Sequence, residues 1–131
     1  MNAFLVDLEN KPGEFARVSE AIARKGINIT TISGSTCGSS GRVVMTTDND
    51  GATRTVLGEA KLTFTESEVT EATLRNEPGA LAKIARRLAD SGLNIEAIVP
   101  TGMKGNDVSV AFITDNPTAA RSLLSEATSA S

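Results

Sequence analysis

Apolar residues fall along this chain in short blocks, and their spacing switches between two periods. "AFLVDL" (Ala3–Leu8) is an apolar, β-prone run, and "EVTEATL" (Glu68–Leu74) alternates apolar with polar residues; both read as strands. Each leads into a Pro-Gly turn and then into apolar residues at helical spacing. These are Phe15, Val18 and Ile22 in the first case and Leu81, Ile84 and Leu88 in the second. Pro12 and Pro78 suit the first position of those helices, where no N–H is needed and φ is already set. Gly26 and Gly92 stand where such helices end in a left-handed cap. "NITTIS" and "NIEAIV" then alternate as second strands, and "RVVMTT" and "VSVAFIT" follow glycine-containing loops as third elements. A "TDN" triplet caps a second helix in each series, and "AKLTFTE" (Ala60–Glu66) adds a last strand to the first series.

The two series are copies. At an offset of 66, Leu8–Ile32 aligns with Leu74–Ile98, with identities at Leu8, Asn10, Pro12, Gly13, Ala16, Ala23, Gly26, Asn28, Ile29 and Ile32. Further along the offset becomes 67, and "TDNDGATRTVLGEA" (Thr47–Ala60) meets "TDNPTAARSLLSEA" (Thr114–Ala127). The slip falls between "SGSTCGSSG" and "VPTGMKGND", a loop where an inserted residue is tolerated. The expected fold is α+β: two ferredoxin-like β-α-β-β-α-β repeats, residues 1–66 and 67–131, packed side by side with antiparallel sheets and helices on one face. One such unit alone would bury only a thin core. The second copy reaches "TSAS" where the first has "KLTFT", so its last strand is expected to be missing, or supplied by rearrangement or by a partner. The closing "SEATSAS" reads as a frayed tail.

Composition narrows the function. The chain has no His, one Cys, no Trp or Tyr and four Phe. Without His the commonest general base and metal ligand is missing, and Cys37 has no His to activate it. The carboxylates are scattered and sit near Lys or Arg, as on solvated helix faces, so no catalytic residue, metal site or cofactor is expected. A net charge of -3 and few aromatics argue against nucleic acid. No apolar run approaches a membrane span, no secretory signal opens the chain, and a single Cys cannot close an internal disulfide; the expected location is cytoplasmic.

The repeated turn has two readings. A loop that ends at a helix N-terminus points N–H groups outward, and those donors suit a carboxylate. Gly13 and Gly79 leave the backbone open to a small ligand, and the amides of Asn10 and Asn76 offer both donors and acceptors. Asn28 and Asn94 repeat at the starts of the second strands. Alternatively, all four Asn are turn and cap residues that bond locally.

"ENKPGEFARVSEAIARKGINI" and "RNEPGALAKIARRLADSGLNI" resemble the ACT domain, through Asn-x-Pro-Gly, a short amphipathic helix and Gly-Ile/Leu-Asn-Ile. The resemblance covers both halves and implies a stand-alone tandem ACT protein that senses an amino acid or similar small ligand. ACT domains pair side by side through their second strands, and the ligand lies at the pairing interface. Carried onto this chain, one site combines Asn10, Lys11, Pro12 and Gly13 with Asn94 and Ile95. The other combines Asn76, Glu77, Pro78 and Gly79 with Asn28 and Ile29. Lys11 beside one site and Glu77 beside the other imply opposite preferences for a charged ligand side chain. Homodimerisation and a separately encoded, regulated enzyme are the implied partners. The competing reading is a regulatory or dimerisation subunit of an amino-acid biosynthetic enzyme that binds no ligand. An acylphosphatase-like enzyme of the same topology would need a Gly-Arg-rich phosphate loop, which this chain lacks. Serine-sensing members often have His two residues before the loop Asn, where this chain has Leu8 and Leu74.

Overall fold

The computed structural model describes residues 1–129. The chain divides into one compact unit, Met1–Ser67, and a second that begins at Glu68. The first contains β1 (Asn2–Glu9), α1 (Glu14–Arg24), β2 (Ile29–Cys37), β3 (Ser40–Thr47), α2 (Asp50–Glu59) and β4 (Phe64–Glu68). Its sheet runs β2-β3-β1-β4, with β3 antiparallel to both β1 and β2. The second contains β5 (Thr70–Arg75), α3 (Ala80–Asp90), β6 (Ile95–Lys104), β7 (Asp107–Thr114) and α4 (Pro117–Ser129). Its sheet runs β5-β7-β6, again antiparallel. This is the α+β architecture expected from the duplication. Among the described residues no strand lies on the outer side of β5, where β4 lies beside β1 in the first unit. The stretch expected to fray is helical as far as Ser129, and Ala130 and Ser131 lie outside the described residues.

Each unit has its own core. In the first, Phe4 and Val6 of β1 meet Val18 and Ile22 of α1, Met45 of β3 and Leu57 of α2. In the second, Ala72, Ile84, Leu88, Phe112 and Leu124 do the same work. The alternate positions Ala3 and Leu5 are buried as well, so β1 is an unbroken apolar run rather than an alternation. Phe15 and Leu81 keep the helical spacing but are 44% and 47% exposed, outside the cores.

Local chemistry fixes the helix ends. Pro12 and Pro78 do not open the helices: the cap positions are Gly13 and Gly79, with φ of 85° and 89°. That left-handed backbone is open to glycine and strained for other residues, so the turn needs the glycine and the proline only stiffens its approach. At the other end, Gly26 N–H donates to Ala23 O and Ile27 N–H to Ile22 O, and Gly92 and Leu93 repeat the pattern on Ala89 and Leu88. The last strand of the first unit begins later than "AKLTFTE" implied. Lys61 takes the left-handed cap after α2 (φ 57°) and Leu62 N–H returns to Leu57 O, which delays β4 to Phe64.

Candidate functional site

The turn between β1 and α1 lies at the end of the sheet that carries the β2–β3 hairpin. Asn10 fastens the two together: its backbone N–H donates to Ser39 O at 2.9 Å and its Nδ2 to Gly38 O at 2.9 Å. Asn76 N–H makes the corresponding bond to Asn106 O at 2.8 Å. Asn10 is therefore a structural latch with its side-chain amide already donating. Lys11 is paired too, with Glu9 at 2.9 Å and with Glu14 at 4.0 Å. The Glu9 hydrogen bond holds the Lys11 ammonium above its usual pKa, and the same bond holds the Glu9 carboxyl below its own. The charge expected to attract an acidic ligand is thus answered within the loop.

Beside this loop is an open groove of about 490 Å³, lined entirely by residues of the first unit. Leu8, Phe15, Ile32 and Val43 form apolar walls, and Gly34 and Gly41 lie on its floor. Strand register explains the floor. Gly41 stands opposite Leu8 and Thr36, and Gly34 stands opposite Val43. Asn10, Lys11 and Glu14 supply polar groups along the rim, with Arg42 nearby, bonded to Asp7 at 3.0 Å. Glu14 on this rim is not singled out by the sequence. Its side chain is 8% exposed and takes Arg17 Nε at 3.0 Å and Nη2 at 2.5 Å, both on Oε1. An acidic residue in the first helical turn looks like an ordinary dipole partner, and nothing in the sequence marks it as buried.

Asn28 and Asn94 lie elsewhere. Asn28 N–H donates to Asp48 Oδ1 at 3.0 Å and Asp48 N–H returns to Asn28 O at 3.1 Å. Asn94 and Asp115 form the same clasp at 3.0 and 3.2 Å. Ile29 and Ile95 follow as the first residues of β2 and β6, each packed against its own unit's core. The loop therefore adjoins the end of β2, whereas Asn28 adjoins its start. A nine-residue strand puts roughly 25 Å between the two. Within a unit, the turn and the Asn-Ile therefore stand apart, and each expected site takes its turn from one repeat and its Asn-Ile from the other. The structure brings Asn10 and Lys11 to the groove; Pro12 and Gly13 lie in the turn between them and α1. Asn76, Glu77, Pro78 and Gly79 form the corresponding exposed turn before α3.

The edge strands β2 and β6 carry a matched feature. Ile32 and Ile98 are each 42% exposed, and with Phe15 and Leu81 they give both units an apolar pair at the same repeat positions. Among the described residues no cluster of three or more His, Cys, Asp or Glu could hold a metal, and no helix is long and apolar enough to cross a membrane. Cys37 is exposed at the end of β2.

Residues 4–62 match the AHAS small subunit-like ACT domain. That segment holds β1 through α2 and the groove-forming strands. Solved structures share the fold of nearly the whole chain. Protein BT0572 from Bacteroides thetaiotaomicron superposes with a TM-score of 0.78 at 23% identity, over 95% of this chain and 86% of that one. The regulatory subunit of aspartate kinase from Thermus thermophilus gives 0.64 at 22% identity, over 96% and 90%. Aspartate kinase from Synechocystis gives 0.66 at 17% identity, over 98% of this chain and 25% of the enzyme. At these identities the likeness is one of fold. No curated protein is similar enough in sequence to count as a relative.

Proposed function

We propose that this chain is a non-catalytic, cytoplasmic regulatory protein that binds an amino acid or similar small ligand and modulates a separate metabolic enzyme or regulator. The observation that carries this reading is the groove beside the β1–α1 turn, within a segment that matches an ACT-domain model. The likeness to a subunit named as regulatory to aspartate kinase supports the same role. Two ACT repeats, 1–66 and 67–131, each contribute a turn. The turn residues Asn10–Gly13 pair with Asn94 and Ile95, and Asn76–Gly79 with Asn28 and Ile29.

Each of these combinations needs two units, because the turn and the Asn-Ile of one unit stand at opposite ends of its second strand. Both second strands are sheet edges with an exposed isoleucine. An antiparallel meeting of two such edges sets each turn against the other's Asn-Ile, and two copies of the chain supply them in a homodimer. The exposed apolar pairs also favour a second reading, in which the fold docks on a partner enzyme without binding ligand.

A thermal-shift screen of the chain against the twenty amino acids at millimolar concentration tests the proposal. A rise in Tm with one chemical class is expected. No rise with any of them would leave the docking reading.

A further inference from the structure

The two repeats part company at the groove. In the first unit its floor is kept open by two glycines. A Cβ at Gly41 would lie 3.3 Å from Ser35 O and from Thr36 Cγ2, and one at Gly34 would lie 3.3 Å from Arg42 O. In the sheet of the second unit both places carry larger residues: Val108 stands opposite Leu74 as Gly41 does opposite Leu8, and Pro100 opposite Val110 as Gly34 does opposite Val43. A third difference lies at the helix start, where Glu14 of α1 is matched by Ala80 of α3.

Glu14 is 7% exposed and lines the groove. Both Arg17 contacts fall on Oε1, which leaves Oε2 on the groove side with a single, longer ion pair to Lys11 Nζ at 4.0 Å. Of the charged residues that line the groove, Glu9, Lys11, Glu14 and Arg42, the two acids balance the two bases. A balanced rim of this kind suits a zwitterion better than an anion.

We infer that, of the two repeats, the first binds the ligand, and that Glu14 Oε2 reads the ligand's α-ammonium group. The ligand carboxylate is left to the N–H groups at the start of α1, and an apolar side chain to Leu8, Phe15, Ile32 and Val43. This inference rests on the amino-acid reading above; it narrows the two turn-based sites of that reading to the one at the first repeat's turn and names the residue that selects.

Calorimetric titration of the full chain with L-leucine and with N-acetyl-L-leucine tests it, on the wild type and on Glu14→Gln and Gly41→Val. The expected result is one equivalent of L-leucine per chain. N-acetylation, which removes the ammonium, should weaken binding to the wild type by about tenfold or more. Glu14→Gln should weaken L-leucine by a similar factor while the acetylated compound changes little, and Gly41→Val should block both. Far-UV circular dichroism checks that the variants fold, and the two-compound comparison on the wild type decides the matter if they do not. Two equal sites per chain, equal binding of the two compounds, or unchanged binding by a folded Glu14→Gln would overturn the inference while leaving the amino-acid reading in place. Failure of the wild type to bind any amino acid would remove both.

Discussion

Gly13 is required by the turn itself, whatever binds beside it. A Cβ there would meet no atom within 4 Å, so space does not demand glycine; the φ of 85° does. An L-residue in that region costs about 1–2 kcal/mol. Gly13→Ala is therefore expected to lower the unfolding free energy by about that amount in urea titration, with a native circular dichroism spectrum. A neutral result would mean that the turn holds a different backbone. The same strain makes Gly13→Val a poor probe of binding, because it confounds steric block with instability.

Glu66 is the other telling residue. It accepts from Arg54 Nε at 2.6 Å, Arg54 Nη2 at 2.8 Å and Asn2 Nδ2 at 2.7 Å, tying β4 to α2 and to the start of β1. The Arg54 hydrogen bonds, opposed by burial and aided by Asn2, hold its carboxyl below the ordinary 4.5. Folding thus favours the ionised form. Its contribution is complete above the unfolded value and is lost as pH falls through the lower folded one. The stability gap between wild type and Glu66→Gln should shrink as pH drops from about 6 to about 3. A gap that stays constant across that range would contradict the assignment.

At the scale of elements, the repeated "TDN" triplet does three jobs at once. Thr47 Oγ1 accepts from Asn49 N–H at 3.2 Å, Asp48 takes the Asn28 N–H, and Asn49 Oδ1 caps α2 through Ala52 N–H at 3.0 Å. Thr114, Asp115 and Asn116 repeat the arrangement at α4. Asn49→Ala should cost about 1 kcal/mol by thermal or chemical denaturation. These caps were legible in the sequence because they are local: residues within four positions of one another satisfy the free N–H groups. The strands were legible for the same reason of period. Less legible was any feature that spans strands. Phe15 keeps helical spacing with Val18 and Ile22 yet stays out of the core and lines the groove, with Ile32 and Val43 of the sheet. The left-handed Lys61 hid the true start of β4, because no glycine announced the cap.

For the molecule as a whole, duplication carried the fold. Two series in the same order could only be two units of one topology, and the ACT resemblance followed from the turn and the Gly-x-Asn-Ile spacing. The groove could not be read the same way. It depends on register, which sets Gly41 opposite Leu8 and Gly34 opposite Val43 from four places in the chain, and on the burial of Glu14. Divergence between the copies is where the chemistry differs. The most direct test of the account is an amide NMR titration of the labelled chain with L-leucine. The account predicts saturable shifts at Lys11, Gly13, Phe15 and Gly34 by millimolar ligand, with the turn at Glu77–Gly79 much less affected. Shifts confined to the second unit's turn, or none around the groove, would contradict it.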